Sequence, residues 1–177
     1  MTSSKVTRLA LSKPVIGAIE GYAVAGGFEL ALWCDLRIAA SNAVFGVFNR
    51  RWGVPLMDGG TVRLPRLVGV GRALEITMTG RPVPADEALQ IGLVNELTPP
   101  GSTLARALEL AATLAALPQD ALNLDRRSIN RQAGLPLEAA MDAEFGESLA
   151  ARGVERGASR FVEGAGRHGV LLSEPRD

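Results

Sequence analysis

The reading turns on Gly21 to Asp35, GYAVAGGFELALWCD. The stretch opens with small residues, and Gly26-Gly27 leads directly into an apolar run. Glycine permits backbone angles and close approaches that a Cβ forbids. Phe28 to Cys34 then reads as a helix apolar all round, and such a helix is buried. One carboxylate, Glu29, sits in its first turn. An ionised carboxylate alone in apolar surroundings is costly. The N–H groups of Gly26 and Gly27 stand at the positive end of the helix dipole, where a developing oxyanion is stabilised. An oxyanion site beside a carboxylate suits enolate chemistry. A plain Gly-Gly turn with a solvent-facing first-turn Glu fits the same letters, and residue types alone leave both readings open.

Working outward, composition narrows the classes. The 177 residues are 47% hydrophobic and 21% charged, enough for a domain with a core. Nineteen basic and nineteen acidic residues give zero formal net charge, which argues against nucleic acid or an anionic membrane as principal partner. A single cysteine, Cys34, excludes an internal disulfide framework and suits a reducing cytoplasm. It reads as a small core residue. No run approaches the roughly 20 apolar residues of a membrane span. The N-terminus has no secretory apolar region, so a cytoplasmic protein is expected. No His/Cys cluster suggests a metal.

Upstream of the central stretch, residues 4–12 are expected to form a short helix ended by Pro14. Val15–Ile19 is a short β-branched run and reads as a buried strand. Downstream, Leu36–Ala39 and Ala43–Val47 read as strands, giving the order strand, helix, strand, strand. Short strands between small-residue turns fit a stacked spiral better than a wide doubly wound sheet. Phe48–Gly60 is loop-like. Thr61–Val68 and Gly71–Met78 read as short helices, with Pro65 limiting the first or dividing it. Pro84–Ile91 is a helix with Gly92 at its C-terminal end, and Val94–Leu97 a last strand.

Pro99-Pro100-Gly101 is the expected boundary, separating residues 1–100 from a helical region, 101–177. Helices are expected from Ser102 or Thr103 to Leu117, Ala121 to Gln132, Leu137 to Ala151 and Glu155 to Val162. Leu104 and Leu108 share a face of the first, and Met141, Phe145 and Leu149 recur at four-residue spacing in the third. The tail from Gly164 reads as loose, with the sole histidine, His168, inert within it.

The run from Lys13 to Val47, KPVIGAIEGYAVAGGFELALWCDLRIAASNAVFGV, resembles the crotonase superfamily, the enoyl-CoA hydratase/isomerase group. GGTVRLPRLVG (59–69), ALEITMTGRPVPADEALQIGLVNEL (73–97) and Arg160-Phe-Val-Glu163 carry the same likeness in the same order. The resemblance implies an α/β fold: a ββα spiral, here truncated on its N-terminal side, followed by helices used in trimer contacts. It implies acyl-CoA thioester substrates in acyl-CoA or fatty-acid metabolism, with no cofactor beyond the CoA that belongs to the substrate. A homo-oligomer, trimer or hexamer, is implied as well.

On the same basis, Gly26 matches a residue whose N–H forms half of an oxyanion hole, and Glu29 the first of two catalytic glutamates. The second falls twenty residues on, where this chain has Asn49. An amide neither gives nor takes a proton at neutral pH. Asp58, in Asp-Gly-Gly-Thr, is similar in place to an aspartate that some relatives use as proton shuttle or nucleophile. It also suits an N-cap or Asx-turn before the next helix, the commoner role of a loop aspartate. Trp52 lines an acyl pocket or seals a core edge. Asp35 and Arg37 read as local polar contacts.

The family carries about a third more domain before the motif that starts here at Lys13, including the other oxyanion N–H and much of the CoA nucleotide site. A missing third leaves open strand edges and exposed apolar surface, so association or low stability is expected, with a separate N-terminal half as one possible partner. The alternative to an enzyme is a non-catalytic crotonase-like subunit or remnant that packs into oligomers.

Overall fold

The computed structural model describes residues 6–149, 151 and 153–165. The chain divides into two compact units, Met1–Leu110 and Ala111–Asp177. In the first, β1 (Ile16–Ile19) and β2 (Tyr22–Val24) precede α1 (Gly26–Trp33), and β3 (Leu36–Ala40) and β4 (Val44–Gly46) follow it. The observed order is therefore strand, strand, helix, strand, strand. The sequence reading missed β2, because three residues after a turn glycine carry no usable periodicity. Gly21 makes that turn with φ +68°.

The strands alternate between two three-stranded sheets, β1-β3-β6 and β2-β4-β5. β5 is Val83–Pro84 and β6 is Glu96–Thr98. β1 pairs with β3 in parallel, Ile16 beside Leu36, and β2 pairs with β4 in parallel, Tyr22 beside Val44. One circuit of strand, strand and helix thus stacks each strand on its counterpart from the previous circuit, the spiral expected. β6 joins β3 in parallel and β5 joins β4 antiparallel. Among the described residues, β1 and β2 each have a partner on one side only.

The core lies between the sheets and the helices. Ile38, Ala39 and Ala40 of β3 are fully buried, as befits a central strand covered on both faces. Phe28 of α1 packs against Phe45 of β4 with ring centroids 6.4 Å apart and planes tilted by 59°. Full burial of each such ring stabilises the fold by roughly 1.5–3 kcal/mol.

Helices α2 (Gly60–Val68), α3 (Val70–Thr79) and α4 (Ala85–Gln90) pack on this core. Pro65 sits inside α2, which runs three residues past it. The sequence leaves a shortened or divided helix as the options there. In the structure the helix simply ends at Gly69, whose N–H caps the Pro65 carbonyl. The loop-like stretch contains a 3₁₀ helix, Phe48–Trp52. The helix expected over residues 4–12 is a single 3₁₀ turn, Val6–Arg8, with residues 1–5 outside the described set.

Helix α5 (Thr103–Ala115) begins in the first unit. Glu20, just past β1, accepts hydrogen bonds from the Gly101 N–H (3.1 Å), the Thr103 N–H (3.2 Å) and the Thr103 hydroxyl, tying β1 to the start of α5. α5 buries Thr103 and Ala107, whereas Leu104 and Leu108 are exposed.

In the second unit α6 (Gln119–Arg131) packs on α7 (Leu137–Ser148), and Arg131 of α6 meets Glu147 of α7 at 2.6 Å. α8 spans Val154–Val162. The row Met141, Phe145 and Leu149 lies on the exposed side. The expected loose tail beyond Ala165, with His168, lies outside the described residues. No helix among the described residues is long and apolar enough to cross a membrane.

Candidate functional site

Ala25, the N-cap of α1, has φ 51° and ψ −123°, and among the described residues no other non-glycine residue has positive φ. Such a conformation costs on the order of 1–3 kcal/mol for a residue with a Cβ. It is held from both sides. The Ala25 N–H donates to the Gly46 carbonyl at 3.0 Å, and its own carbonyl accepts the Glu29 N–H at 3.1 Å. The peptide that follows carries the Gly26 N–H, so this forced backbone sets where that donor points. Gly26 and Gly27 are exposed, and a Cβ at either would meet nothing within 4 Å.

Glu29 is 4% exposed and one turn into the same helix. It does not face bulk water. Its Oε1 accepts the N–H groups of Asp58 and Gly60, each at 2.8 Å, and its Oε2 accepts the Met57 N–H at 3.4 Å. Backbone donors offset the burial cost, and the Arg63 guanidinium acts on the carboxylate from a distance. Gly60 is the first residue of α2, so a second helix N-terminus also points at the carboxylate. The arrangement depends on Gly60. A Cβ there would stand 3.0 Å from Glu29 Oε1 and 2.8 Å from Leu56 Cδ1.

α1 is not enclosed all round as its letters suggest. Phe28, Glu29, Ala31 and Leu32 are buried, but Leu30 is 43% exposed. No described element covers that face, the side that also shows Gly26 and Gly27.

Asn49 is tied into its own loop. Its Nδ2 donates to the Val54 carbonyl at 2.8 Å, and the Val54 N–H donates back to the Asn49 carbonyl at 3.1 Å. Its Oδ1 is buried with no hydrogen-bond partner among the described residues. Asp58 meets Glu29 through its backbone N–H, while the N-cap of α2 is Gly59. Trp52 is 81% exposed, so it seals no core edge in this chain.

At the other end of α1, Arg37 is 3% exposed. It donates to the carbonyls of Cys34 (2.6 Å), Leu93 (2.7 Å) and Ala31 (3.4 Å). A cation at a helix C-terminus is favoured by the dipole. Burial nonetheless holds this guanidinium below its ordinary range. Asp35 accepts the Val15 N–H at 2.7 Å. The Cys34 Sγ donates to the Leu30 carbonyl at 3.5 Å, and burial pushes its thiol pKa up. These are structural contacts, though Leu93 and Val15 lie far from local.

Reading the residues in sequence did not single out Ala25, Gly60 or Arg63. Ala25 gives no signal, because alanine is not a positive-φ residue. Gly59-Gly60 before an apolar helix repeats the cue of Gly26-Gly27, and that parallel was available. Among the described residues no three His, Cys, Asp or Glu side chains gather as a metal site.

Comparison with known proteins places this geometry. The Enoyl-CoA hydratase/isomerase family model matches residues 4–167. The crotonyl-CoA hydratase of Syntrophomonas wolfei is 41% identical over 164 residues, 90% of this chain and 63% of that protein. The short-chain-enoyl-CoA hydratase of Clostridium acetobutylicum is 39% identical over 86% of this chain and 60% of its own length. The crystal structure of an enoyl-CoA hydratase from Mycobacterium tuberculosis H37Rv superposes with a TM-score of 0.83 at 34% identity, covering 89% of this chain and 64% of that one. The chain thus spans about three-fifths of the length of these three relatives. A spiral of parallel strands, a glycine-led helix carrying a buried glutamate and this run of matches make the chain a member of the enoyl-CoA hydratase/isomerase family, within the crotonase superfamily.

Proposed function

We propose that the chain forms the acid–base side of an acyl-CoA site, with Glu29 as acid/base, the Gly26 N–H as oxyanion donor and a thioester enolate as the species stabilised. The observation that carries this reading is the buried Glu29 carboxylate in the same first turn as an exposed glycine N–H aimed by a strained residue. Glu29 Oε1 is occupied by two short bonds, whereas Oε2 holds one long contact. A carboxylate has about four acceptor sites, so Oε2 retains capacity for a water or a substrate proton. Asp58, whose N–H touches Glu29, supplies the second acidic group in place of Asn49. The substrate class follows the hydratase relatives, and the single Cys34 suits a cytoplasmic setting.

One oxyanion donor without its partner forfeits on the order of 100- to 1000-fold in rate. The full site therefore draws on the portion that the longer relatives have and this chain does not match. The decisive experiment assays crotonyl-CoA hydration and isomerisation by the chain alone and together with a polypeptide equivalent to that portion. Activity is expected only in the mixture. Glu29→Gln should lower it by about 100- to 10,000-fold, with the folded state checked by circular dichroism. Unchanged turnover in that variant overturns the assignment.

Asn49 favours a second reading. Its side chain closes a loop where the relatives' second acid would stand, which suits a non-catalytic crotonase-like subunit packing into a homo-oligomer, a trimer or hexamer. No turnover in the mixture, combined with stable association, selects that alternative.

A further inference from the structure

Beside the loop that holds Glu29, a cleft of about 270 Å³ is lined by Arg8, Arg63, Arg66, Asp58 and Gly59, among others. Its size lies just below the range of ordinary ligand pockets, so it suits a small group better than a whole cofactor. Arg63 spans it. Nη1 donates to the Asp58 carbonyl at 3.0 Å and Nη2 to the Thr7 carbonyl at 2.7 Å. Both acceptors are neutral, so the guanidinium is oriented without being neutralised, and three of its five N–H donors are left over.

The placement depends on Gly59. At φ +99°, a Cβ there would fall 2.1 Å from Arg63 Nη1. Arg66 lies one turn on, on the same side of α2. Its side chain makes no ion pair or hydrogen bond among the described residues. Burial, and then the Arg66 and Arg8 charges, depress the Arg63 pKa, with Glu29 opposing them.

Three guanidinium groups and one carboxylate line the cleft, and the Glu29 carboxylate acts on Arg63 from beside it, so positive charge still predominates. Gathering like charges is unfavourable unless an anion joins them. A carboxylate ligand brings one negative charge. A phosphate monoester brings about 1.5 to 2, and arginine pairs with it bidentately. Three arginines around one cleft suit the several oxygens of a phosphate better than the two of a carboxylate.

We propose that the cleft framed by Arg8, Arg63 and Arg66 binds a phosphate group, either free or as the phosphate monoester of a larger ligand. This site shares Asp58 with the proposed acyl-CoA site, but phosphate binding is read without turnover, so either can fail without the other.

The test is calorimetric titration of the full chain at constant ionic strength, since exposed charges are screened by salt. The probes are inorganic phosphate and adenosine 3′,5′-bisphosphate, with adenosine as the uncharged control. Saturable binding of the phosphate probes and none of adenosine is expected. Arg8→Gln and Arg66→Gln should each weaken it about tenfold or more. Equal affinity for both probes assigns free phosphate, and tighter binding of the bisphosphate assigns a phosphorylated ligand.

The absence of saturable binding to either probe, or binding that survives both substitutions, overturns the proposal. A readout without substitution is the arginine Nε–Hε NMR spectrum of the unaltered chain. The Arg8, Arg63 and Arg66 signals must move together on adding phosphate, and signals that stay put overturn the site.

Discussion

Glu29 Oε1 accepts the backbone N–H of Gly60 at 2.8 Å, joining two residues thirty-one positions apart. The bond ties the first turn of α1 to the first turn of α2, and Gly60 has no room for a side chain. Gly60→Ala should therefore push the carboxylate off its three donors. Overpacking costs roughly 1–3 kcal/mol. Against it stands the helix preference of alanine over glycine, up to about 1 kcal/mol. The crowding is expected to win, lowering the urea midpoint at unchanged m-value. A variant as stable as the parent would show that the loop yields freely and that Glu29 is not held.

Ala25 gives the opposite case. Ala25→Gly relieves on the order of 1–3 kcal/mol of backbone strain. It adds unfolded-state freedom worth about 0.4–1 kcal/mol. The balance favours stabilisation, read as a higher urea midpoint. In the complemented assay the same variant is expected to lose rate, because the peptide carrying the Gly26 N–H is no longer forced into one orientation. A variant both more stable and fully active would remove Ala25 from the positioning of that donor.

Glu20 supplies a pH signature. The Thr103 hydroxyl, then the Gly101 and Thr103 N–H groups, hold its carboxyl below the ordinary 4.5, with burial opposing. The folded pKa lies below the unfolded one, so the contribution is present above pH 4.5 and is lost as pH falls through the folded value. Glu75 and Glu87 beside Arg81, and Glu96 beside Arg106, shift the same way. Glu20→Gln should thus flatten part of the acid limb of the denaturation midpoint measured from pH 7 to 3, not all of it. An acid limb identical to the parent's would mean that the tie from β1 to α5 contributes nothing.

Arg37 is expected to tolerate no substitution. Arg37→Ala leaves the carbonyls of Cys34, Leu93 and Ala31 without their donor, at a cost of about 3 kcal/mol or more. Arg37→Lys keeps the charge but has no planar fork to reach all three, so it should recover only part of the loss. Equal denaturation midpoints for the lysine variant and the parent would show that charge alone suffices.

Self-association is expected in sedimentation velocity across a concentration series. Met141, Phe145 and Leu149 form an exposed apolar row on the second unit, with exposures of 59%, 67% and 73%. Exposed contiguous apolar area of this kind marks an interaction surface. Phe145→Glu should shift the distribution toward monomer. A parent chain that stays monomeric at all concentrations removes the homo-oligomer reading.

How much of this was legible from the letters depends on range. β1, β3, β4 and the helices from α2 onward could be read because apolar period, proline and glycine act within a few residues. The strands β2 and β5 could not, because two or three residues hold no period and only the neighbouring strand stabilises them. Glu29 was marked as unusual by its setting, yet its partners were invisible, since they are backbone N–H groups that any residue carries. The Leu104–Leu108 face and Leu30 look like core in sequence, and nothing in the described fold covers them.

The sequence by itself determined β1, α1, β3 and β4, because a β-branched run, a glycine pair and an apolar helix each restrict the backbone locally, and its resemblance to a known family implied the spiral they stack into. Only the tertiary structure decided that Glu29 is buried against Met57, Asp58 and Gly60, that Asn49 closes its own loop, and that Arg8 and Arg66 flank Arg63. Those outcomes rest on hydrogen bonds and charges meeting across tens of residues, where chain closure and packing choose the partners and side-chain type does not.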